Sequence, residues 1–291
     1  MPYTTEQWHQ QGAWFIHRGH RIFYVTKGSG PALLLLHGFP TSSWDWHKIW
    51  DTLTVSYRVI APDFIGFGFS DKPAGYDYSM LDRADLVEDL LKQLAIAEYH
   101  ILSHDIGDTV TQELLARQSD RNSGNIKSCC LLNGGLFPET HRPTGTQKLL
   151  LSPLGFLVGR LMSFQKFRKA FSILFGPRSK PAEEELRSFY DLIEFNKGTM
   201  IMHLLIKYIL ERRRHRERWV AALQKFNRPL MLIDGTDDPV SGAHMVKRYR
   251  ELIATPNIIE LPGIGHYPHT EAAAGVLEAY TDFRLRNSSA S

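Results

Sequence analysis

One strand-turn-helix segment constrains the fold of this chain more than any other feature of its sequence. Residues 100–110 read as an apolar strand that passes through a very short turn into a helix. Ser103 and Gly107 stand two residues before and two residues after Asp105, and small residues at these places allow a turn so tight that the side chain between them projects above the sheet. That side chain is a carboxylate, which has an ordinary pKa of roughly 4 and needs no base to deprotonate it. The segment therefore predicts a nucleophilic aspartate suited to attack on an sp3 carbon.

Apolar runs bounded by turn residues alternate with helical patterns along the chain. The runs are continuous rather than alternately polar, which is typical of parallel strands that are covered by helices on both faces. We therefore predict an α/β fold with a mostly parallel central sheet flanked by helices. The predicted helices include 42–55 and 81–97, and the predicted strands are 21–25, 32–36, 57–61, 99–102, 126–132, 230–233 and 258–261.

The alternation stops after Gly135 and resumes only near residue 230. Between these points the sequence is helical, is interrupted by several prolines and shows no convincing strand. We predict a core domain at 1–135 and 219–291 with a helical cap domain inserted at 136–218. An insert of this kind covers the carboxyl edge of the sheet, where ligands bind in open α/β folds.

Composition and charge exclude several classes of function. The formal net charge is only +3, which gives no electrostatic footprint for nucleic acid. Residues 211–218 carry this whole excess and read as a solvated helix face, with an anionic surface or a partner as the alternative. Cys129 and Cys130 are adjacent on a strand and point to opposite faces, so no disulfide framework is expected.

The sequence shows no targeting or metal-binding pattern. Residues 1–6 show no secretory pattern, and the leucine run at 33–36 is too short to span a bilayer. Spacings such as CxxC or HExxH do not occur. We expect a cytoplasmic protein that needs no cofactor or metal and has no membrane span, with weak surface association through 211–218 as the one exception.

The later part of the chain supplies partners for Asp105. His266 follows a strand and stands after a glycine, and Asp238 is favoured over Asp237 because of its Gly-x-x-Asp spacing. This order of nucleophile, acid and histidine is the order found with nucleophile elbows of this kind. The backbone N–H groups of Ile106 and Phe39 are the predicted oxyanion donors. We expect the Asp105 carboxylate to face a cavity within one water molecule of His266. If it instead forms a salt bridge, or is closed off from the cavity and from His266, the catalytic interpretation fails and only the predicted architecture remains.

Together with the elbow, these residues resemble the α/β-hydrolase branch that contains epoxide hydrolases and haloalkane dehalogenases. The resemblance is nearly end to end and includes 37–40, 63–70, Asp238 and 265–266; a closer likeness, in 133–143, is to mesoderm-specific transcript-like proteins. It implies the α/β-hydrolase fold with a cap. It also implies a two-step reaction, in which Asp105 forms an alkyl ester with a small apolar electrophile and water activated by His266 hydrolyses that ester.

What the resemblance implies for the leaving group depends on the cap. Tyr208 lies on an amphipathic cap helix and resembles a tyrosine that donates to the epoxide oxygen, and Tyr190 is a weaker candidate for a second donor. Trp44 could line the pocket mouth, although packing is the commoner role for such a residue. The halide-binding Trp and Asn of dehalogenases are replaced by Ile106 and Phe39. Epoxide hydrolysis is therefore the first hypothesis, with haloalkane or haloacid dehalogenation and a catalytically silent binding or signalling module as alternatives.

Overall fold

The computed structural model describes residues 3–287 and contains one eight-stranded sheet. The strand order is β1-β2-β4-β3-β5-β6-β7-β8, and every pair from β4 to β8 is parallel, whereas β2 pairs antiparallel with both β1 and β4. The predicted α/β class with a mostly parallel sheet is confirmed. The strands are β1 Gly12–His17, β2 His20–Lys27, β3 Ala32–Leu36, β4 Arg58–Pro62, β5 Tyr99–His104, β6 Ile126–Leu132, β7 Leu230–Gly235 and β8 Ile258–Leu261.

Continuous apolar runs form the central strands because helices cover both faces of the sheet. Every residue of β3 and of β5 is buried. The helices are α1 Thr5–Gln10, α2 Trp50–Ser56, α3 Met80–Gln93, α4 Ile106–Asp120, α5 Gly145–Leu151, α6 Gly155–Arg160, α7 Phe164–Phe171, α8 Glu183–Glu194, α9 Met202–Leu205, α10 Tyr208–Arg214, α11 Arg216–Lys225, α12 Ala243–Leu252, α13 Pro268–Glu271 and α14 Ala273–Arg286.

Three local predictions differ from the structure. The helix predicted at 81–97 is Met80–Gln93 and so ends four residues earlier. The single helix predicted at 42–55 is instead a 3₁₀ segment, Ser43–Lys48, followed by α2. Ser42 caps the 3₁₀ segment through its hydroxyl, and the backbone of Ile49 separates the two pieces. Strand β1 was not predicted, although residues 13–16 are apolar; in the structure four of its six residues are half-buried or exposed.

The segment between β6 and β7 contains α5 to α11 and, within residues 3–287, no strand. Helix α11 packs along α4, where Trp219 Nε1 donates to Glu113 at 2.9 Å. The predicted boundary at 218 therefore falls inside a helix that rests on the sheet layer. The division into core and cap stays a prediction, and its ends at residues 1–2 and 288–291 lie outside the described residues.

Cys129 and Cys130 are buried free thiols on β6. Among the described residues, no helix is both long and apolar enough to cross a membrane.

Candidate active site

The turn at Asp105 joins β5 to α4 with almost no connecting residues. Asp105 has φ 47° and ψ −104°, a conformation that L residues rarely adopt outside strained functional turns. A Cβ on Gly107 would overlap the carbonyl oxygen of Leu36, and the Gly107 N–H donates to the carbonyl of His37 at 3.1 Å. The close approach of α4 to β3 thus requires glycine at this position and holds the Asp105 side chain at the sheet edge.

The Asp105 carboxylate is buried, with both oxygens bonded. Its Oδ2 accepts from the Phe39 N–H at 3.0 Å, and its Oδ1 accepts from Arg212 Nη2 at 3.0 Å. Burial alone would raise the pKa of Asp105, but Arg212 and His266 outweigh that effect and lower the pKa to about 2. The group is therefore an anion at neutral pH, and one of its oxygens is held by an ion pair.

That ion pair corrects two expectations. The carboxylate is not free, and Arg212 does not belong to a solvated face: its side chain is 2% exposed. Arg212 also donates from Nε to Thr109 Oγ1 at 2.8 Å and from Nη2 to the Asp105 carbonyl at 3.0 Å, while its Nη1 has no partner among the described residues. A side chain at Gly135 would collide with the guanidinium, so this glycine makes room for it.

His266 and Asp238 form a buried pair. His266 Nδ1 lies 2.7 Å from Asp238 Oδ2, and the same oxygen accepts from Asn133 Nδ2 at 3.1 Å and from Ser241 Oγ at 2.8 Å. Burial would lower the pKa of His266, but Asp238 and Asp105 reverse this and raise it. Asp237 is exposed and accepts from the Gly263 N–H at 3.0 Å. Of these two adjacent carboxylates, only Asp238 lies beside the His266 imidazole.

The two predicted oxyanion donors lie on either side of Asp105. The Phe39 N–H already points at the carboxylate, as described above. Ile106 is the first residue of α4, and such an amide has no acceptor within its own helix. Both donors remain predictions for the oxyanion of an ester intermediate.

Tyr208 lies at the start of α10 close to the carboxylate. Its side chain is buried, its ring centre is 4.5 Å from the Arg212 guanidinium carbon, and its hydroxyl forms no hydrogen bond within the described chain. Burial and the charge of Asp105 raise the pKa of Tyr208, whereas Arg212 and the nearby Gln147 oppose that rise. The hydroxyl therefore stays protonated, and among residues 3–287 it has no hydrogen-bond acceptor.

Tyr190 and Trp44 occupy other places than expected. The Tyr190 ring packs against Phe164 and Phe167, and its hydroxyl lies 3.5 Å from Glu194 on the same helix. Trp44 is fully buried, stacks on His47 with ring centres 4.0 Å apart and donates to the carbonyl of Tyr3 at 3.2 Å. Neither side chain lines the cavity beside His266. The pocket-mouth role considered for Trp44 gives way to packing.

An apolar cavity of about 60 Å³ adjoins His266. This volume admits a few water molecules, whereas sites for larger ligands take roughly 300 Å³ or more. Neither Asp105 nor Tyr208 is among its lining residues, so the structure does not show the expected exposure of the Asp105 carboxylate to this cavity. The lining includes Phe39, Gln147, Met162, Phe171, Met202 and Val240.

A second group of buried polar side chains lies behind the loop that carries His266. Asp45, His104 and His269 offer ligand atoms within 4.8 Å of one another, a spacing that could hold a metal ion. His104 Nε2 donates to the carbonyl of His266 at 2.7 Å, which fixes the loop. Sequence spacing gave no sign of this group, because its three members come from separate parts of the chain.

The chain is similar to known proteins in both sequence and fold. The family described as "alpha/beta hydrolase fold" matches residues 31–273. The chain belongs to the α/β-hydrolase fold family. Within that family it is 45% identical to the mesoderm-specific transcript homolog protein of Bos taurus, a match that covers 96% of this chain and 88% of the relative. The predicted resemblance to such proteins is confirmed.

Solved structures show the same fold at low identity. The haloalkane dehalogenase DatA from Agrobacterium tumefaciens C58 superimposes on this α/β hydrolase with a TM-score of 0.81 at 19% identity, covering 94% of this chain and 96% of DatA. The epoxide hydrolase CorEH gives a TM-score of 0.76 at 19% identity, with 94% and 98% covered. The architecture is thus shared by proteins named for two different reactions.

Proposed function

We propose that this α/β hydrolase cleaves a small apolar electrophile through an ester on Asp105, and that an epoxide is the substrate its site suits best. The observation that carries the proposal is an ionised carboxylate at the apex of the elbow whose pKa is lowered in part by His266, the imidazole that is paired with Asp238. A carboxylate can attack carbon directly, and the ester that results needs a base only for its hydrolysis.

The first step is ring opening by Asp105, and it needs no cofactor. Asp105 Oδ1 forms a bond to an epoxide carbon while the ring C–O bond breaks, and the electron pair moves onto the ring oxygen. The unpartnered Tyr208 hydroxyl can give its proton to this alkoxide. The Arg212 guanidinium over the Tyr208 ring then stabilises the phenolate. Because the ester on Asp105 is neutral, the positive charge of Arg212 is no longer balanced by the Asp105 carboxylate.

The second step uses the other half of the site. Neutral His266 takes a proton from water, hydroxide attacks the ester carbonyl, and the oxyanion forms where Phe39 N–H already donates. Asp238 holds the imidazole and stabilises its protonated form. When the intermediate breaks down, the ester C–O bond breaks and the departing diol oxygen takes the proton of the new carboxyl group, which restores Asp105 as a carboxylate. The proton on His266 then returns through water to the Tyr208 phenolate, so that both groups regain their starting state.

Carbon–halogen cleavage is the second candidate, because Arg212 Nη1 is a buried donor with no partner in the described chain and could hold a departing halide. The silent-module alternative draws support from the ion pair at Asp105 and from the small cavity.

A single turnover in heavy-oxygen water tests the proposal. Styrene-oxide-type epoxides and haloalkanes are offered separately, and the peptide containing Asp105 is weighed. Label in the Asp105 carboxylate, with diol as product, supports epoxide hydrolysis, whereas halide release supports the second candidate. Asp237→Asn, an exposed carboxylate outside the site, should behave as wild type. If neither class of substrate leads to label in Asp105, the catalytically silent binding module is the remaining hypothesis.

A further inference from the structure

The helices that follow β6 expose an unusual amount of apolar surface. Leu154 is 58% exposed and Leu161 is 62% exposed, and their neighbours on α5 and α6 are also open to solvent. Four of these side chains line one groove of about 350 Å³, so they form a contiguous surface rather than scattered contacts. We call it the cap groove; its lining includes Leu149, Leu154, Leu157, Leu161 and Met162.

The chain segment that carries the cap groove has charged residues of one sign only. Residues 140–182 contain eight Lys or Arg and no Asp or Glu, although the whole chain carries only +3. Lys148, Arg160 and Lys166 are exposed, and in the described part of the chain none of the three forms a salt bridge. Unneutralised cations around exposed leucines are the pattern of a surface that binds anionic lipid headgroups and buries apolar side chains below them.

Helix α7 shows the same division between its faces. Phe164, Phe167 and Phe171 are buried in the cap, while Lys166 and Lys169 point outward. The aromatic face secures α7 to the protein, and the cationic face remains available beside the groove.

The cap groove is separated from the cavity at His266 by single side chains. Thr146, Met162 and Ala170 line both spaces. Whatever occupies the groove therefore rests against the wall of the candidate active site.

We infer that the cap groove docks onto the surface of a membrane that contains anionic lipids. The 211–218 run is less suited to this role, because Arg212, Arg216 and Arg218 pair with carboxylates of the protein itself. A second copy of the chain is a poor occupant, since two segments of the same charge would repel one another. Anionic headgroups supply the missing counter-charge.

Vesicle co-sedimentation tests the inference. Wild-type protein should bind phosphatidylcholine vesicles that contain phosphatidylglycerol and should bind pure phosphatidylcholine weakly. The double variant Leu154→Asp/Leu161→Asp should lose about tenfold or more of its binding, and Lys148→Glu/Lys166→Glu should lose binding and its salt dependence. Val55→Asp, which alters an 82% exposed valine on α2, is the matched control and should bind as wild type.

Circular dichroism of each variant checks that the fold is kept, which is expected for substitutions at exposed positions. Equal binding to neutral and anionic vesicles, or full binding by both double variants, would overturn the inference. So would a wild-type dimer that the leucine variant dissociates without any vesicle binding, because the groove would then be a protein interface. None of these outcomes depends on the reaction at Asp105.

Discussion

Arg212 Nη2 lies 3.0 Å from Asp105 Oδ1, and the two side chains are 2% and 6% exposed. An ion pair this deeply buried sets the protonation state of the carboxylate and limits its freedom to react. It also links the insert, through α10, to the turn between β5 and α4.

Replacing Arg212 should destabilise the protein and alter the titration of Asp105. Arg212→Ala leaves a buried carboxylate without its cation, which costs about 3–5 kcal/mol when one partner of such a pair is removed. Urea unfolding at neutral pH measures this change. Arg213→Ala is the control, because that neighbouring side chain is exposed and should cost little. Equal losses for the two variants would show that the ion pair contributes nothing.

The same pair predicts the acid limb of stability. Asp105 has a folded pKa of about 2, below its unfolded value of roughly 4, so its contribution is present above pH 4 and is lost as the pH falls through 2. The contribution is about 2–3 kcal/mol by linkage. In Asp105→Asn this limb should flatten between pH 4 and 2, as followed by unfolding at several pH values. An unchanged limb would assign the acid sensitivity to other carboxylates.

Sequence patterns predicted the sheet well, because a strand that is buried on both faces must have a continuous run of apolar residues. The runs at β3 and β6 were placed to the residue, since all of their side chains except that of Lys127 are apolar or small. Strand β1 was missed because one of its faces is half open. The environment of Asp105 was predicted only in part. Arg212 stands in the charged run 211–218, and residues in such a run are normally predicted to be exposed to solvent. Arg212 nevertheless lies one helical turn after Tyr208 and so shares the buried side of α10 with it. That spacing was the available signal.

Asp238→Asn should slow hydrolysis of the ester and change its pH dependence. Asp238 raises the pKa of His266, so the wild-type imidazole becomes a base only above that raised pKa, and the stability it adds is lost as the pH rises through it. The variant should lower this pKa and reduce the rate by about 10²–10⁴, judged from positioned acid–base groups. Rate–pH profiles give both values. Asp237→Asn is the control and should leave the rate–pH profile unchanged. If it shifts the profile as much as Asp238→Asn does, Asp238 is not the residue that sets the pKa of His266.

His266→Gln should separate the two steps. Attack by Asp105 does not need the imidazole, whereas hydrolysis does, so an alkylated protein should accumulate. Intact-protein mass after mixing with an epoxide measures the adduct, and His215→Gln, which alters a histidine on the far end of α10, should show none. Unmodified protein under conditions in which the wild type turns over would contradict this division of roles.

Tyr208→Phe distinguishes the two candidate reactions. Removing a buried hydroxyl that has no partner in the described chain should leave stability unchanged or raise it by about 1 kcal/mol, because the unmet desolvation cost disappears. Epoxide opening should fall by about 10²-fold or more, since the alkoxide loses its proton donor. Carbon–halogen cleavage should be nearly unaffected, because halide leaves without a proton. Tyr190→Phe, whose hydroxyl faces Glu194, is the matched control and should retain wild-type epoxide turnover. Equal epoxide rates for Tyr208→Phe and wild type would exclude Tyr208 as the proton donor to the epoxide oxygen.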